Sequence, residues 1–282
     1  MLRPSHEALA IGEQVHVALH LPPTSGSVGQ ARGRGAGASV EFLDHRHYIP
    51  GDDIRHLDWR AYARTDQLLI KRHQEEIRPT LDIVLDGSAS MSLDPQKASF
   101  AVNVVALLSA SARSDGLRVR TLLLGEQPRW VGWEQLLGEG VALTARTTTQ
   151  QLLHRAVPLL HTGGLCVVVS DFLFPHDPKA LVHPLVGRCG NVACLQVLSA
   201  AEIDPPLGGA VRLEDVETGQ HVEVRRDAAT VKAYQQRLQR LSTALQEAML
   251  RSGGCFARLR SDASLSAQCR QQLVEAGVLR VD

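Results

Sequence analysis

The sequence lacks a surplus of either charge: 30 Lys and Arg stand against 30 Asp and Glu. No net field therefore draws the chain to nucleic acid or to an anionic membrane, and any partner must be recognised locally. It also lacks a Cys-x-x-Cys pair. The five cysteines are scattered, and Cys166 sits inside an apolar run where a reduced thiol behaves as a small hydrophobe, which fits a reducing cytosol. Long apolar runs are missing too. The longest, Phe100 to Ala112, is broken by Asn103 and serines, and no signal-peptide core follows Met1-Leu2-Arg3-Pro4, so the expectation is a cytoplasmic protein without a membrane span. No Gly-x-x-x-x-Gly-Lys-Ser/Thr follows a strand, which removes the P-loop nucleotide site and leaves the Gly-, Ser- and Arg-rich stretch 24–39 as a solvated linker.

What is present is an ordinary globular composition, 44% hydrophobic and 21% charged over 282 residues, enough for one large or two modest domains. A weak helical pattern covers residues 6 to 20 and ends at Pro22-Pro23. From Leu81 onward strands and helices alternate. Leu81 to Leu85 reads as a buried strand; Asp94-Pro95 caps a helix that Gly116 stops; Leu117 to Leu124 is a second strand and Arg129 to Trp133 a short third. A helix over about Thr149 to Leu160 ends at Gly163-Gly164, before the continuously apolar Leu165 to Val169. Asp177-Pro178 starts another helix, Val192 to Leu198 is a fifth strand, and Arg212 to Val224 is a hairpin turning at Thr218-Gly219. A long amphipathic helix carries Val231, Leu238 and Leu245 on one stripe, Cys255 to Leu259 is the last clear strand, and Leu265, Cys269 and Leu273 mark a closing helix. This order implies an α/β fold with a doubly wound, mostly parallel sheet.

The first of these strands runs straight into Asp86-Gly87-Ser88-Ala89-Ser90, an Asp-x-Ser-x-Ser spacing. In a parallel sheet all strand carboxyl ends share one edge, so Asp86 and its serines can meet Asp171, which follows Ser170 at the end of a later strand. Two hydroxyls and two carboxylates suit Mg²⁺ (or Mn²⁺), a hard cation that takes oxygen ligands in an octahedron and keeps several waters. Ser88 and Ser90 would ligate directly, while Asp86 and Asp171 would act through water or take one position each. The competing structural reading has the serines cap the next helix and Asp86 bond backbone amides.

The loop, the order of elements after it and Asp171 resemble the von Willebrand factor type A domain, over nearly all of residues 79–282. The resemblance implies a metal-ion-dependent adhesion site that adds a threonine from a later loop. Thr147, Thr148 and Thr149 are all available there, and Thr149, at the helix start, is the choice. The preceding stretch, Glu41-Phe42-Leu43-Asp44-His45-Arg46-His47-Tyr48-Ile49-Pro50-Gly51-Asp52-Asp53-Ile54-Arg55-His56-Leu57-Asp58-Trp59-Arg60-Ala61-Tyr62-Ala63-Arg64, resembles the signature of the bacterial domain of unknown function fifty-eight family. That family joins such a segment, here residues 1–78, to a type A domain, and the resemblance implies an adaptor or chaperone-like partner of a MoxR-type AAA+ ATPase or of a client protein. Many relatives carry N-terminal membrane helices that are not visible here.

The Gly51 to Arg64 segment is read either as a docking face or as Asp–Arg pairs and a buried Trp59 that clamp the N-terminal segment to the sheet. His45 and His47, at i and i+2, lack a third ligand at metal spacing. The main rival function is a Mg²⁺-dependent phosphatase or phosphotransferase of the haloacid dehalogenase type, using Asp86. Such a loop needs a second Asp as general acid where this chain has Ser88. A serine hydrolase is weaker still, since Gly87-Ser88-Ala89-Ser90 is not Gly-x-Ser-x-Gly. The expectation is therefore a binding module and not an enzyme.

Overall fold

The computed structural model of the chain describes residues 1–19, 40–75, 79–214 and 221–281. The linker at 24–39, Pro22-Pro23 and the Thr218-Gly219 turn lie outside the described residues. Contacts divide the chain into two compact units, one of Ser25–Arg78 and one that joins Met1–Thr24 to Pro79–Asp282.

The chain begins with α1 (His6–Gly12), capped by the Ser5 hydroxyl, and β1 (His16–Val17). The helix expected over 6 to 20 thus stops early. Asp115 is the reason: it accepts from the Val17 N–H at 2.7 Å and meets His16 Nδ1 at 2.5 Å, holding the chain extended so that it pairs with a strand near the C-terminus. The described residues 1–19 accordingly belong with the larger unit and not with the segment up to residue 78, because α1 lies so close to a later helix that a Cβ on Gly12 would meet the Leu107 carbonyl oxygen at 2.5 Å.

The smaller unit holds β2 (Val40–His47), α2 (Trp59–Thr65) and β3 (Leu69–Glu75), with the two strands antiparallel. Asp58 caps α2 by accepting from the N–H groups of Arg60 and Ala61, and also meets His45 Nε2 at 2.8 Å. Arg46 grips Asp52 with two bonds of 2.7 and 2.6 Å, and Arg55 pairs with Asp53. The Asp–Arg pairs are present, but Trp59 is 63% exposed, which goes against the one of the two readings that needed it buried.

The larger unit continues with β4 (Thr80–Asp86), α3 (Pro95–Ser114), β5 (Arg118–Leu124), β6 (Pro128–Val131), α4 (Trp133–Gly138), α5 (Thr149–Ala156), β7 (Leu165–Ser170), α6 (Pro178–Arg188), β8 (Asn191–Leu198), α7 (Ala200–Ile203), β9 (Ala210–Glu214), β10 (His221–Arg225), α8 (Ala228–Arg251), β11 (Cys255–Arg260), α9 (Leu265–Gln268) and β12 (Leu279–Arg280). Six strands form the central sheet in the order β11-β8-β7-β4-β5-β6, all parallel except β6. The architecture is mixed α/β and Rossmann-like.

Alternation along the strands splits the interior into two cores. Leu81, Ile83, Leu85, Val167 and Val169 pack under α3, while Val84, Cys166 and Val168 face Leu152, Leu185 and Leu245 of the helices opposite. A strand covered on both faces must be apolar throughout, which is why the β4 and β7 runs were legible. The exception is Asp82, fully buried on the second face. Arg120 binds it bidentately, with both bonds 2.7 Å, and the His161 N–H adds a third at 2.6 Å. The helix expected over Thr149 to Leu160 is α5 followed by a 3₁₀ turn at Val157–Leu159, since Pro158 offers no N–H to continue it. The closing helix is likewise short, with α9 running into a π turn at Cys269–Leu273. All five cysteines are free.

Candidate metal centre

The chain leaves β4 toward β5 on one side, and returns to β7 on the other side of β4 before moving on to β8. The carboxyl ends of β4 and β7 therefore flank the point where the strand order reverses, the crevice in which open α/β sheets hold ligands. Asp86 ends β4 and Ser170 ends β7. Gly87 follows, so close to β5 that a Cβ there would sit 2.5 Å from the Leu124 carbonyl oxygen. Beyond it, the Ala89 N–H donates to the Ala145 carbonyl at 2.8 Å and the Ala145 N–H donates to the Gly87 carbonyl at 2.9 Å. This short zipper brings the threonine loop to the Asp-x-Ser-x-Ser loop.

Asp86 is completely buried. Its Oδ2 accepts from the Ser170 hydroxyl at 2.5 Å, its Oδ1 from the Ser88 N–H at 3.0 Å, and the Thr149 hydroxyl lies 3.3 Å from both oxygens. The Ser88 and Ser90 hydroxyl oxygens are 2.9 Å apart. Thr147 instead donates to Glu126 Oε2 at 3.0 Å, and the Thr148 side chain makes no capping bond although the residue sits at the N-cap of α5. Asp171, 2% exposed, accepts from the Leu173 N–H at 3.0 Å on one oxygen and from Lys97 Nζ at 2.8 Å on the other. The turn between them requires Phe172 at φ +54°, a left-handed conformation that costs a non-glycine residue about 1–2 kcal/mol. Backbone strain is therefore stored beside the crevice.

Burial pushes the Asp86 carboxyl up to about 6, the negative charge of Asp171 adds to the rise, and the bonds from Ser170 and Ser88 oppose it. Burial alone would lower the Lys97 ammonium, yet Asp171 and Glu202, the latter 2.6 Å from Nζ, outweigh it and hold Lys97 above its ordinary value. Asp86, Asp171 and Glu202 thus supply three negative charges and Lys97 one positive, a surplus of two when all are ionised.

These residues fit a hard divalent cation. Every donor is oxygen, and octahedral ligands at 2.0–2.1 Å from a metal sit about 3 Å apart along an edge, close to the 2.9 Å between the two serine oxygens. Asp86 touches only neutral donors, so its charge is the one a cation would relieve. Asp171 already carries an ammonium, which suits it to bind through water. Among the described residues no three His, Cys, Asp or Glu side chains converge on a metal position, so a cation here depends on the hydroxyls. His45 is engaged with Asp58 and belongs to no such cluster.

Sequence reasoning missed Lys97 and Glu202. The signal for Lys97 was faint: a charged residue on the stripe of α3 that also carries Phe100, Ala101 and Val104, hence aimed at the sheet. Glu202 forms a capping box with Ser199 at the start of α7, a Ser-x-x-Glu spacing that is legible locally, but its bond to Lys97 spans 105 positions and has no local signal.

Comparison with known proteins gives three results. The family described as "Protein of unknown function DUF58" matches residues 44–244. Uncharacterized proteins of Mycobacterium bovis and Mycobacterium tuberculosis are 26% identical over 202 residues, which is 65% of this chain and 62% of theirs. The chain therefore spans 62% of the length of the curated relatives it matches. Among solved structures, the conserved hypothetical protein BatB of Bacteroides thetaiotaomicron aligns with 13% identity and a TM-score of 0.37, over 68% of this chain and 94% of that one. An aerotolerance-related membrane protein of Bacteroides fragilis aligns at 13% and 0.37, over 71% and 98%. No helix among the described residues is long and apolar enough to cross a membrane.

Proposed function

This chain belongs to the DUF58 family of proteins of unknown function, and from that premise we propose that it is a non-enzymatic adaptor with a von Willebrand factor type A-like domain that docks an acidic side chain of a partner at a metal-ion-dependent adhesion site. The observation that carries this reading is the cluster of Asp86, Ser88, Ser90, Thr149 and Ser170 oxygens at the strand-order reversal, with one buried carboxylate that bonds only neutral donors among the described residues. Bound there, Mg²⁺ or Mn²⁺ would offer an open coordination position to a visiting carboxylate.

The protein's own residues do the rest. Ser88 and Ser90 would supply neutral ligands, so a bound cation would keep most of its positive charge for the visitor. Ser170 and Thr149 orient Asp86, and Lys97, by pairing with Asp171, would leave less of that carboxylate's charge to offset a bound cation. The partner that the family resemblance suggests is a MoxR-type AAA+ ATPase or one of its clients, in the cytoplasm.

The reading supports binding over phosphoryl transfer because Asp86 has no exposed surface from which to attack a phosphorus, and Ser88 is no general acid. The test is retention of the ATPase on immobilised protein in Mg²⁺ and in EDTA, with wild type and the Ser88→Ala/Ser90→Ala double variant. Retention is expected only for wild type in Mg²⁺. Equal recovery in all arms would refute the role, and Mg²⁺-dependent turnover of a generic phosphomonoester lost in Asp86→Asn would replace it with the haloacid dehalogenase-type reading.

A further inference from the structure

The edge of the central sheet formed by β11 is only partly closed. In the parallel ladder with β8, the Ser261 N–H donates to the Leu198 carbonyl at 2.9 Å, so the odd-numbered residues of this stretch bond to β8 and the even-numbered ones turn their N–H and C=O outward. At Arg260 the outward N–H is capped by the Gln268 side chain at 2.9 Å. At Phe256 and Arg258 no described residue takes the outward groups. Proteins ordinarily blunt such an edge, because unpaired backbone groups in a row are a template for another strand.

A cleft of about 560 Å³ lies along this opening, walled by Ser242, Thr243 and Gln246 of α8 and by Gln272 and Glu275 on the other side. Its volume falls within the range of ligand sites. The Arg258 guanidinium reaches into it. Nη1 and Nη2 donate to the Gln239 amide oxygen at 3.2 and 3.3 Å, and among the described residues no carboxylate lies within ion-pair distance. By contrast, Arg260 is already paired with Asp262 at 2.8 Å. Arg258 is thus a half-buried cation that no carboxylate among the described residues pairs, beside the outward N–H and C=O groups of Phe256 and of its own backbone. Half-buried Phe256 adds apolar surface next to it.

We propose that this cleft binds an extended peptide segment of a partner, which adds a strand to β11 through the backbone of Phe256 and Arg258 and sets an Asp or Glu side chain on the Arg258 guanidinium. Main-chain bonds supply affinity and the carboxylate supplies choice, as in other strand-addition sites. The commitment to an acidic segment follows from charge complementarity, since a guanidinium held only by a neutral amide gains a charge-assisted pair. This site is separate from the metal centre and does not require it.

The test uses the full chain in EDTA, with the probes acetyl-Thr-Val-Glu-Val-Thr-amide, its Gln counterpart and a Glu peptide N-methylated on the backbone. Amide exchange at Phe256 and Arg258 is read by NMR alongside a binding titration. The Glu peptide is expected to slow exchange at both amides, and Arg258→Gln to weaken it about tenfold or more and erase its advantage over the Gln peptide. The N-methylated peptide is expected to bind at least about tenfold more weakly. No saturable binding of the Glu peptide, equal binding of the N-methylated form, or binding without protection at Phe256 and Arg258 overturns the proposal. So does protection of these amides in peptide-free protein together with a doubled mass, which would assign the edge to a second copy of the chain. Because the metal is absent throughout, failure of the metal-dependent reading leaves this result intact.

Discussion

Replacing Asp86 by Asn isolates the charge at the centre of the crevice. Burial, helped by the nearby charge of Asp171, pushes the carboxyl from an ordinary 3.8 up to about 6 in the folded protein. At 1.36 kcal/mol per unit, ionised Asp86 costs the metal-free fold about 3 kcal/mol. The sign is that of a carboxylate whose folded value is raised: its favourable contribution is complete below about pH 4 and is lost as pH climbs through about 6. Wild-type protein in EDTA should therefore lose about 3 kcal/mol of unfolding free energy between pH 4 and 7.5 that Asp86→Asn retains. At about 2 °C per kcal/mol for a chain of this size, the variant melts about 6 °C above wild type at pH 7.5, relative to their difference at pH 4. The Asn amide keeps the hydrogen bonding because the Ser170 and Thr149 hydroxyls can turn to accept from it. Adding Mg²⁺ at pH 7.5 should raise the melting temperature of wild type alone. Calorimetry at several pH values with and without metal checks both parts. A wild-type-to-variant gap that stays constant from pH 4 to 7.5 would show that no buried, uncompensated charge exists for a cation to neutralise.

Two further expectations concern the frame that holds the crevice. Asp82→Ala leaves the Arg120 guanidinium and the His161 N–H without their carboxylate, and a broken buried pair of this kind costs about 3–5 kcal/mol; chemical denaturation reads it, and a loss under 1 kcal/mol would mean that solvent reaches Arg120 well enough to replace the pair. Gly87→Ala drives a methyl against the Leu124 carbonyl at 2.5 Å, so about 1–3 kcal/mol of destabilisation is expected together with a diminished Mg²⁺-induced rise in melting temperature, both measured in one thermal titration; unchanged stability would show that β5 yields at no cost.

The alternation of apolar strands and capped helices was legible because each signal is local. A strand covered on both faces shows as an unbroken apolar run, as in Leu165 to Val169, and Asp94-Pro95 marks a helix start through the N–H groups it leaves to be capped. The Asp-x-Ser-x-Ser loop was visible for the same reason. A boundary failed where a distant group intervened, since Asp115 turned residues 16–17 from helix into strand; of the two readings of the Gly51 to Arg64 segment, the one that needed Trp59 buried does not hold. The hairpin of β2 and β3 went unforeseen because its polar strands carry no apolar run to betray them.

By itself the amino-acid order determined which segments could be strand or helix, and which short loop concentrates oxygen donors, since both depend on neighbours a few residues apart. Only the tertiary structure decided that β4 and β7 lie side by side at the reversal of strand order, that the Ser170 hydroxyl meets Asp86, that Asp171 and Glu202 share the Lys97 ammonium, and that β11 forms an edge of the sheet where no described residue takes the outward backbone groups of Phe256 and Arg258. Those facts rest on strand order and on groups tens of residues apart, which no local pattern encodes.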